Sequence, residues 1–259
     1  CSSMSSVDQL LWVIDRALED EYSLLDSAVN ILENTMYTQD TWYTVAEELE
    51  GRLKAMKQPA AATFSSTYSR NRVMNMLVDA YTRSGKPERV IPLLEKEAVV
   101  GQCYETLVDA LLAAGEIDKA KQWCIRGFER TIKSAPGIAS ALQGQLRQLA
   151  EKEKRYDLVT AYRAEDFFDM ASRQSYDELR KAAEKAKVWP EVRACVLGYL
   201  ETGRRPDQAD NPKGSDWSLP RPEVLRSRDK VTAKHSTFPD LAMLIDIAIM
   251  EKRFDDVVT

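Results

Sequence analysis

Apolar side chains recur along the chain at the three- and four-residue spacing of one helical face. In "VDQLLWVIDRAL" (7–18), five apolar residues fall on a single face: Val7, Leu10, Leu11, Ile14 and Leu18. Residues 24–35 and 42–56 repeat this periodicity. Because a period near 3.6 residues is typical of amphipathic helices, the pattern predicts an all-α fold.

Several segments of the chain resemble one another. "LVDAYTRSGKPERV" (77–90) and "LVDALLAAGEIDKA" (107–120) share Leu-Val-Asp-Ala and a glycine eight residues later. Weaker copies of the pattern occur at 16–25, 149–159, 182–192 and 248–258. Such internal similarity is the signature of a repeat architecture, so we expect a series of two-helix units.

The turn of each unit aligns at six positions: Asp20, Gly85, Gly115, Lys154, Lys187 and Lys252. At the two glycines the first helix should end in the left-handed conformation that glycine adopts without cost. The second helix then begins with Pro87 or with an acidic residue in its first turn. Two residues after the aligned position, four copies carry an aromatic ring, which we expect to pack between the two helices: Tyr22, Tyr156, Trp189 and Phe254.

The helix–glycine–helix unit, with Ala120 early in its second helix, resembles the tetratricopeptide repeat. Its spacings of 30, 39 and 33 residues depart from the regular length of about 34. The predicted fold is therefore a right-handed α-solenoid of stacked helical hairpins, tetratricopeptide-like rather than a regular array. We expect N-terminal helical repeats, central tetratricopeptide-like repeats, an insertion containing proline and arginine, and a last, truncated repeat, at 1–60, 61–203, 204–239 and 240–259.

Two stretches interrupt the repeats. "KQPAAATFSSTYSR" (57–70) is small and polar and reads as a connector. "TGRRPDQADNPKGSDWSLPRP" (202–222) holds four prolines and two glycines, and a helix is expected to start at Pro222 and continue through 234. Long loops of this kind are often functional.

Residues 204–239 contain eight basic and five acidic residues. Of all segments of the sequence, this insertion is the strongest candidate for a partner-binding surface. A solvated insertion without a partner is the alternative. The candidate partner-binding residues lie within it: Arg204, Arg205, Trp217, Arg221, Arg226 and Arg228.

Composition changes this picture little. Apolar residues make up 44% and charged residues 30% of the 259 residues, as in helix-rich globular proteins. The stretch "LAMLIDIAIM" is too short, and with Asp246 too polar, to span a bilayer. A net charge of −5 does not favour a dedicated nucleic-acid binder. Residues 1–60 hold eleven acidic and four basic residues. This acidic segment could face a basic partner, or it could simply be a solvated helix surface.

Candidate chemistry is sparse. Four cysteines show no CxxC spacing, and His235 is the one histidine, so no catalytic, cofactor-binding or metal-ligating residue is predicted. Buried thiols in a reducing compartment are expected, with a Cys103–Cys124 disulfide as the alternative. Glu165 and Asp166 fit a salt-bridged helix surface better than an acid–base pair.

The termini raise a separate question. "CSS" at Cys1 fits either the lipidated start of a bacterial lipoprotein or a fragment boundary. The last repeat stops at Thr259, shortly into its second helix. Since solenoids normally end on a polar capping repeat, a fragment is the favoured interpretation.

A second resemblance covers most of the chain. The run 137–206 carries "YRAEDFF", "SYDEL", "VWPEVR" and "YLETGR" in this order, and "WSLPRP" follows at 217–222. These segments resemble the C-terminal helical region of bacterial SWIM zinc-finger proteins, and residues 70–135 fit the same region. In that family an upstream CxC…CxH motif holds zinc. This sequence has neither CxC nor CxH, so no zinc ligand carries over to it.

The sequence thus predicts a non-catalytic scaffold that offers a concave groove to a protein or peptide, next to an upstream SWIM module, in a cytoplasmic bacterial protein. The resemblance implies that nucleic acid could be contacted through that upstream module. The main alternative is a nucleic-acid-binding accessory module that uses the basic 204–239 segment. An enzyme using Glu165, Asp166 and His235, and a lipoprotein anchored at Cys1, are two further hypotheses.

Overall fold

The computed structural model describes residues 4–20, 37–56, 64–206, 217–225 and 237–254. In these ranges the regular elements are helices and no strand occurs, so the all-α prediction is confirmed. None of the described helices is long and apolar enough to cross a bilayer. The chain divides into two compact units, Cys1–Gly127 and Phe128–Thr259. This division falls inside the predicted central range 61–203, and the four predicted ranges stay a prediction.

In the part of the first unit that the structure describes, successive helices pack on one another. They are α1 (Ser6–Glu19), α2 (Gln39–Ala55), α3 (Phe64–Arg83), α4 (Val90–Gly101), α5 (Tyr104–Ala113) and the start of α6 (Ile117–Thr131). Helix α1 contacts both α2 and α3, α3 packs on α2 and α4, and α4 packs on α5. Leucines with no exposed surface, such as Leu49, Leu77 and Leu94, fill the space between these helices.

The second unit is built in the same way. After the end of α6 it contains α7 (Pro136–Lys152), α8 (Tyr156–Asp169), α9 (Arg173–Ala186), α10 (Trp189–Thr202) and α11 (Leu241–Met250). Each of α8 to α11 packs on the helix before it, and α9 also contacts α11. One apolar cluster runs through these four helices and includes Phe167, Tyr176, Val196 and Ile247.

Five turns share one backbone geometry at the positions that the sequence aligned. The aligned residue has a φ between 60° and 78° in each: Gly85, Gly115, Lys154, Lys187 and Lys252. Its N–H donates to the carbonyl three residues back, and the next N–H donates to the carbonyl five residues back, as in Lys86 to Tyr81 at 2.9 Å. This is the Schellman motif. Asp20 differs, because its backbone is extended with φ −78°.

The ring predicted to pack between the helices does so at one turn and not at another. Trp189 meets Tyr176 edge to face at 5.5 Å and joins the apolar cluster of the second unit. Tyr156 is half-buried beneath the Lys185 ammonium. Phe254 is 60% exposed, so the prediction is wrong there. Tyr22 lies outside the described residues.

Two predicted boundaries need correction. Helix α3 begins at Phe64, so the second half of the expected connector 57–70 is helical. The polar sequence of 57–70 predicts a connector, but one of its polar residues makes a tertiary contact: Arg70 forms a buried ion pair with Glu97 of α4 at 2.7 Å. Residues 222–225 are not helical. They form an irregular segment on which Pro222 and Val224 are buried. The rest of the expected helix 222–234 lies outside the described residues.

Candidate functional site

The segment that follows α10 lies against helix α8. Helix α10 ends at Gly203, which has φ 71°. A β-carbon at this position would lie 2.6 Å from the ring of Phe238, so only glycine fits. The chain then brings Arg205 over the ring of Phe168, 5.4 Å from its centre.

Arg205 is held by two carboxylates of α8. Its Nη1 donates to Glu165 at 2.8 Å and its Nη2 donates to Asp169 at 2.6 Å. The Arg205 side chain is 12% exposed, so most of it is removed from solvent. Ion pairs that bury both partners make the removal of one partner costly. The positive charge of Arg205 is therefore matched within the chain.

Aromatic rings complete this arrangement. Trp217 is half-buried with its ring 5.9 Å from that of Phe168, and Tyr199 meets Phe168 edge to face at 4.9 Å. The Tyr199 hydroxyl donates to the Phe168 carbonyl at 3.1 Å, and burial raises its pKa. We call Phe168, Tyr199, Arg205, Trp217 and Phe238 the Phe168 cluster.

The predicted partner-binding residues therefore occupy different environments. Arg205 and Trp217 hold their segments against α8, while Arg204 and Arg221 are exposed. The last two predicted arginines lie outside the described residues, as do Lys230 and His235. Partner binding by Arg204 and Arg221 stays a prediction. The sequence did not reveal the pairing of Arg205, because its two carboxylates lie 40 and 36 residues earlier in the chain, on helix α8.

The acidic pair of α8 is divided between different arginines. Glu165 is bound by Arg205, whereas Asp166 receives Arg147 of α7 at 2.8 Å and lies 3.6 Å from Arg163. Each carboxylate is thus engaged by an arginine of another segment, which does not arrange the two as an acid–base pair. The salt bridges expected from the sequence are present, but the expected surface position is wrong for Glu165, which is only 8% exposed and pairs with Arg205 in a buried environment.

Metal and thiol chemistry are not apparent in the parts of the chain that the structure describes. No group of three or more His, Cys, Asp or Glu residues is placed to hold a metal ion there. Cys103 and Cys124 are buried and form no disulfide, so the alternative of a disulfide between them is wrong. Burial raises the pKa of the Cys103 thiol to about 12, which leaves it protonated and unreactive.

A second site lies where α9, α10 and α11 meet, and the sequence did not indicate it. A cavity of about 360 Å³ is lined by Arg180, Trp189, Met250, Glu251 and Lys252. We call it the Glu251 cleft. The Glu251 side chain is 11% exposed.

Three side chains donate hydrogen bonds to the Glu251 carboxylate. Arg193 binds it with two bonds of 2.8 and 2.6 Å, Tyr176 donates at 2.7 Å and Arg253 at 2.8 Å. The bonds from Arg193, followed by those from Tyr176 and Arg253, lower the pKa of Glu251 to about 2, against the opposing effect of burial. Glu251 is thus ionised wherever the protein is folded near neutral pH.

The cleft keeps an excess of positive charge. Arg180 pairs with Glu184 one turn along α9 at 2.7 Å. No ion pair joins Lys252 to any residue that the structure describes, and Lys252 is exposed. Among the described residues, the lining and its ion-pair partners set Arg180, Arg193 and Lys252 against Glu184 and Glu251, and Arg253 binds Glu251 as well.

Helix α11 also has an apolar outer face. Leu241, Ile245 and Ile249 follow one another at four-residue spacing and are 63%, 42% and 45% exposed. The opposite side of the helix is buried through Met243 and Ile247. We call the three exposed residues the outer face of α11. The sequence showed this helix as uniformly apolar, which did not distinguish its buried side from its exposed side.

Comparison with known proteins adds no relative. No family model, no curated protein and no solved structure matches this chain. The resemblances to SWIM proteins and to tetratricopeptide repeats are therefore expectations, and the geometry of the described residues supports the proposals below.

Proposed function

We propose that this protein is a non-catalytic helical-repeat scaffold that binds a protein partner. The outer face of α11 carries the proposal. Apolar stripes exposed on a helix whose other side is already packed commonly mark interaction surfaces. The i, i+4, i+8 spacing of Leu241, Ile245 and Ile249 suits the apolar side of an amphipathic helix. The partner we propose therefore presents such a helix.

The packing of the units supports this choice of partner. Helix α9 is covered by α8, α10 and α11, so helices in this unit find apolar cover in other helices. Contacts between helices that are not adjacent in the described chain, α1 with α3 and α9 with α11, together with the repeated Schellman turns, support our proposal of a right-handed tetratricopeptide-like stacking within each unit. Such stacks offer extended binding surfaces.

The resemblance to SWIM proteins extends the proposal. The scaffold would accompany an upstream zinc-binding module in a cytoplasmic bacterial protein, and zinc would be held in that module. The pairing of Arg205 with Glu165 and Asp169 weakens the alternative of a nucleic-acid accessory module, because it neutralises one of its arginines. Arg204 and Arg221 remain the exposed cations of that alternative among the described residues.

Site-specific photo-cross-linking tests the proposal. A photoreactive phenylalanine analogue replaces Ile245 in the full-length protein, in the cells that make it, and ultraviolet light traps what contacts it. We expect discrete protein adducts whose yield falls about tenfold when Ile249→Asp is added, because a charge at that position must lose its water. Partner peptides identified by mass spectrometry should come from an amphipathic helix.

The matched control is Val99→Asp, a similarly exposed apolar residue of α4, at 47% against 45% for Ile249. It should leave the adducts unchanged. Absence of adducts at Ile245, or equal losses from both aspartate variants, would contradict the proposal.

A further inference from the structure

We propose that the Glu251 cleft binds an acidic peptide segment of the protein partner. This inference rests on the proposed function, since it names a chemical property of the partner and a second place where the partner is held. The cleft lies among α9, α10 and α11, within the second unit.

Glu251 shows which group the cleft accommodates. Its carboxylate receives both donors of the Arg193 fork, the Tyr176 hydroxyl and Arg253, an arrangement that suits planar carboxylates. These donors are occupied by Glu251. Lys252 has no ion-pair partner among the described residues, and Arg180 is held only by the exposed carboxylate of Glu184, so both cations can meet a second carboxylate that comes from outside.

Charge complementarity identifies the occupant. The Arg193–Glu251 and Arg180–Glu184 pairs leave the charge of Lys252 without a carboxylate among the described residues, in a chain whose net charge is −5. An acidic side chain entering the cleft offsets this local excess, and complementary charge speeds association and fixes register.

The apolar part of the lining favours a peptide over a simple anion. Trp189 and Met250 line the cavity beside the cations. Its volume of about 360 Å³ lies in the size range of a small-ligand or side-chain pocket. An acidic residue next to an aliphatic one satisfies both halves of the lining. Nucleic acid would require a longer basic surface than these two available cations provide.

Fluorescence anisotropy with a defined probe tests this inference on the intact chain. The probe is a labelled Glu-Leu-Glu-Leu-Glu-Leu peptide, and its reference is the same peptide with Gln in place of Glu. At about 50 mM salt, where screening is moderate, we expect the acidic peptide to bind at least about tenfold more tightly than the glutamine peptide. Equal binding of the two peptides overturns the proposal.

Charge reversal in the cleft gives the decisive variant. Arg180→Glu combined with Lys252→Glu reverses both available cations without removing a donor to Glu251. It should weaken binding of the acidic peptide at least about tenfold. The Arg180 side chain is 40% exposed and Lys252 is exposed, so circular dichroism should show the wild-type helix content.

A control with the same charge change is Lys181→Glu combined with Lys154→Glu. Lys181 lies beside Arg180 on α9 and also forms an i,i+4 pair, while Lys154 has the φ of 60° found at Lys252. Neither lines the cleft. Binding within about twofold of wild type supports a local site. An equal loss in both double variants overturns it, because attraction would then come from overall charge.

Two further readouts separate this inference from its alternatives. Displacement of the peptide by inorganic phosphate at about its own molar concentration would show a phosphate site and overturn the peptide proposal. Cross-linking at Ile245 separates the cleft from the proposed function. If adducts persist while the acidic peptide fails to bind, only the cleft assignment falls; if the adducts also fail, the scaffold proposal falls with it.

Discussion

The five aligned turns with a Schellman motif have the same backbone geometry in the two units and different residues at the position that defines it. In the first unit Gly85 and Gly115 adopt the left-handed conformation, whereas Lys154, Lys187 and Lys252 adopt it in the second. A non-glycine residue in this conformation costs about 1–2 kcal/mol. The second unit therefore forms its turns against local preference, and something other than the residue itself must stabilise them.

The buried carbonyls at the helix ends provide that stabilisation. In each turn one hydrogen bond reaches the carbonyl five residues back. That carbonyl belongs to a buried residue in all five turns: Tyr81, Leu111, Ala150, Ala183 and Ala248. A buried carbonyl left without a donor costs about 1–3 kcal/mol. Because the left-handed residue brings the next N–H onto this carbonyl, satisfying it offsets the strain at lysine. Packing of the helix end thus fixes the turn, and glycine only lowers its cost.

Glu251→Ala gives the largest expected change at a lysine turn. Glu251 precedes Lys252, and its loss leaves Arg193 and Tyr176 without their acceptor. Removing one partner of a largely buried pair should lower the free energy of unfolding by about 2–3 kcal/mol, measured by urea denaturation. The control Glu153→Ala changes the exposed equivalent residue before Lys154 and should cost below about 0.5 kcal/mol. Similar costs at the two positions would show that the side-chain contacts of Glu251 do not stabilise its turn.

The same carboxylate predicts a pH dependence. The pKa of Glu251 falls from an ordinary 4.5 to about 2 in the folded chain. A lowered folded-state pKa contributes stability above about pH 4.5, and this contribution is lost as pH falls toward 2. Wild type should therefore lose about 3 kcal/mol more than Glu251→Ala over this window, followed by urea unfolding at each pH. Parallel pH curves for the two proteins would contradict the assignment.

Gly85→Ala tests the glycine turn with the tighter surroundings. A β-carbon there would lie 3.2 Å from the Gln39 side chain, in addition to the left-handed φ of 69°. The strain and the close contact together should cost about 2 kcal/mol. Gln39→Ala relieves the contact, so the double variant should recover part of the loss. If Gly85→Ala is as stable as wild type, the turn tolerates a side chain as the lysine turns do.

Gly115→Ala isolates the conformational cost. No atom lies within 4 Å of the added β-carbon, while φ is 78°. The strain of about 1–2 kcal/mol is partly offset because alanine reduces the entropy of the unfolded chain, so the net loss should be about 1 kcal/mol. Gly137→Ala, in helix α7 with nothing near its β-carbon, is the control and should not destabilise. Loss of stability in that control would invalidate the comparison.

The sequence predicted these turns for a reason that also sets its limits. Alignment of Gly85 with Lys154 and Lys252 located the turns, because the flanking helical periodicity repeats even where glycine does not. It failed at Asp20, where the backbone is extended. Sites formed by side chains of different helices could not be predicted from the sequence, because their residues lie far apart in the chain. Glu251 lies 58 residues from Arg193 and 75 from Tyr176.

Replacement of the lysines by glycine gives the smallest expected effect and the opposite sign. Lys154→Gly and Lys187→Gly should each remove about 1–2 kcal/mol of strain while adding about 0.5–1 kcal/mol of unfolded-state entropy cost. The net expectation is a gain of about 0.5–1 kcal/mol per turn, seen as a higher urea midpoint. Lys181→Gly, at a helical position of α9, should instead destabilise by about 1 kcal/mol. If glycine at 154 or 187 also destabilises, the lysine side chain makes contacts that outweigh its strain, and the turns of the two units are stabilised in different ways.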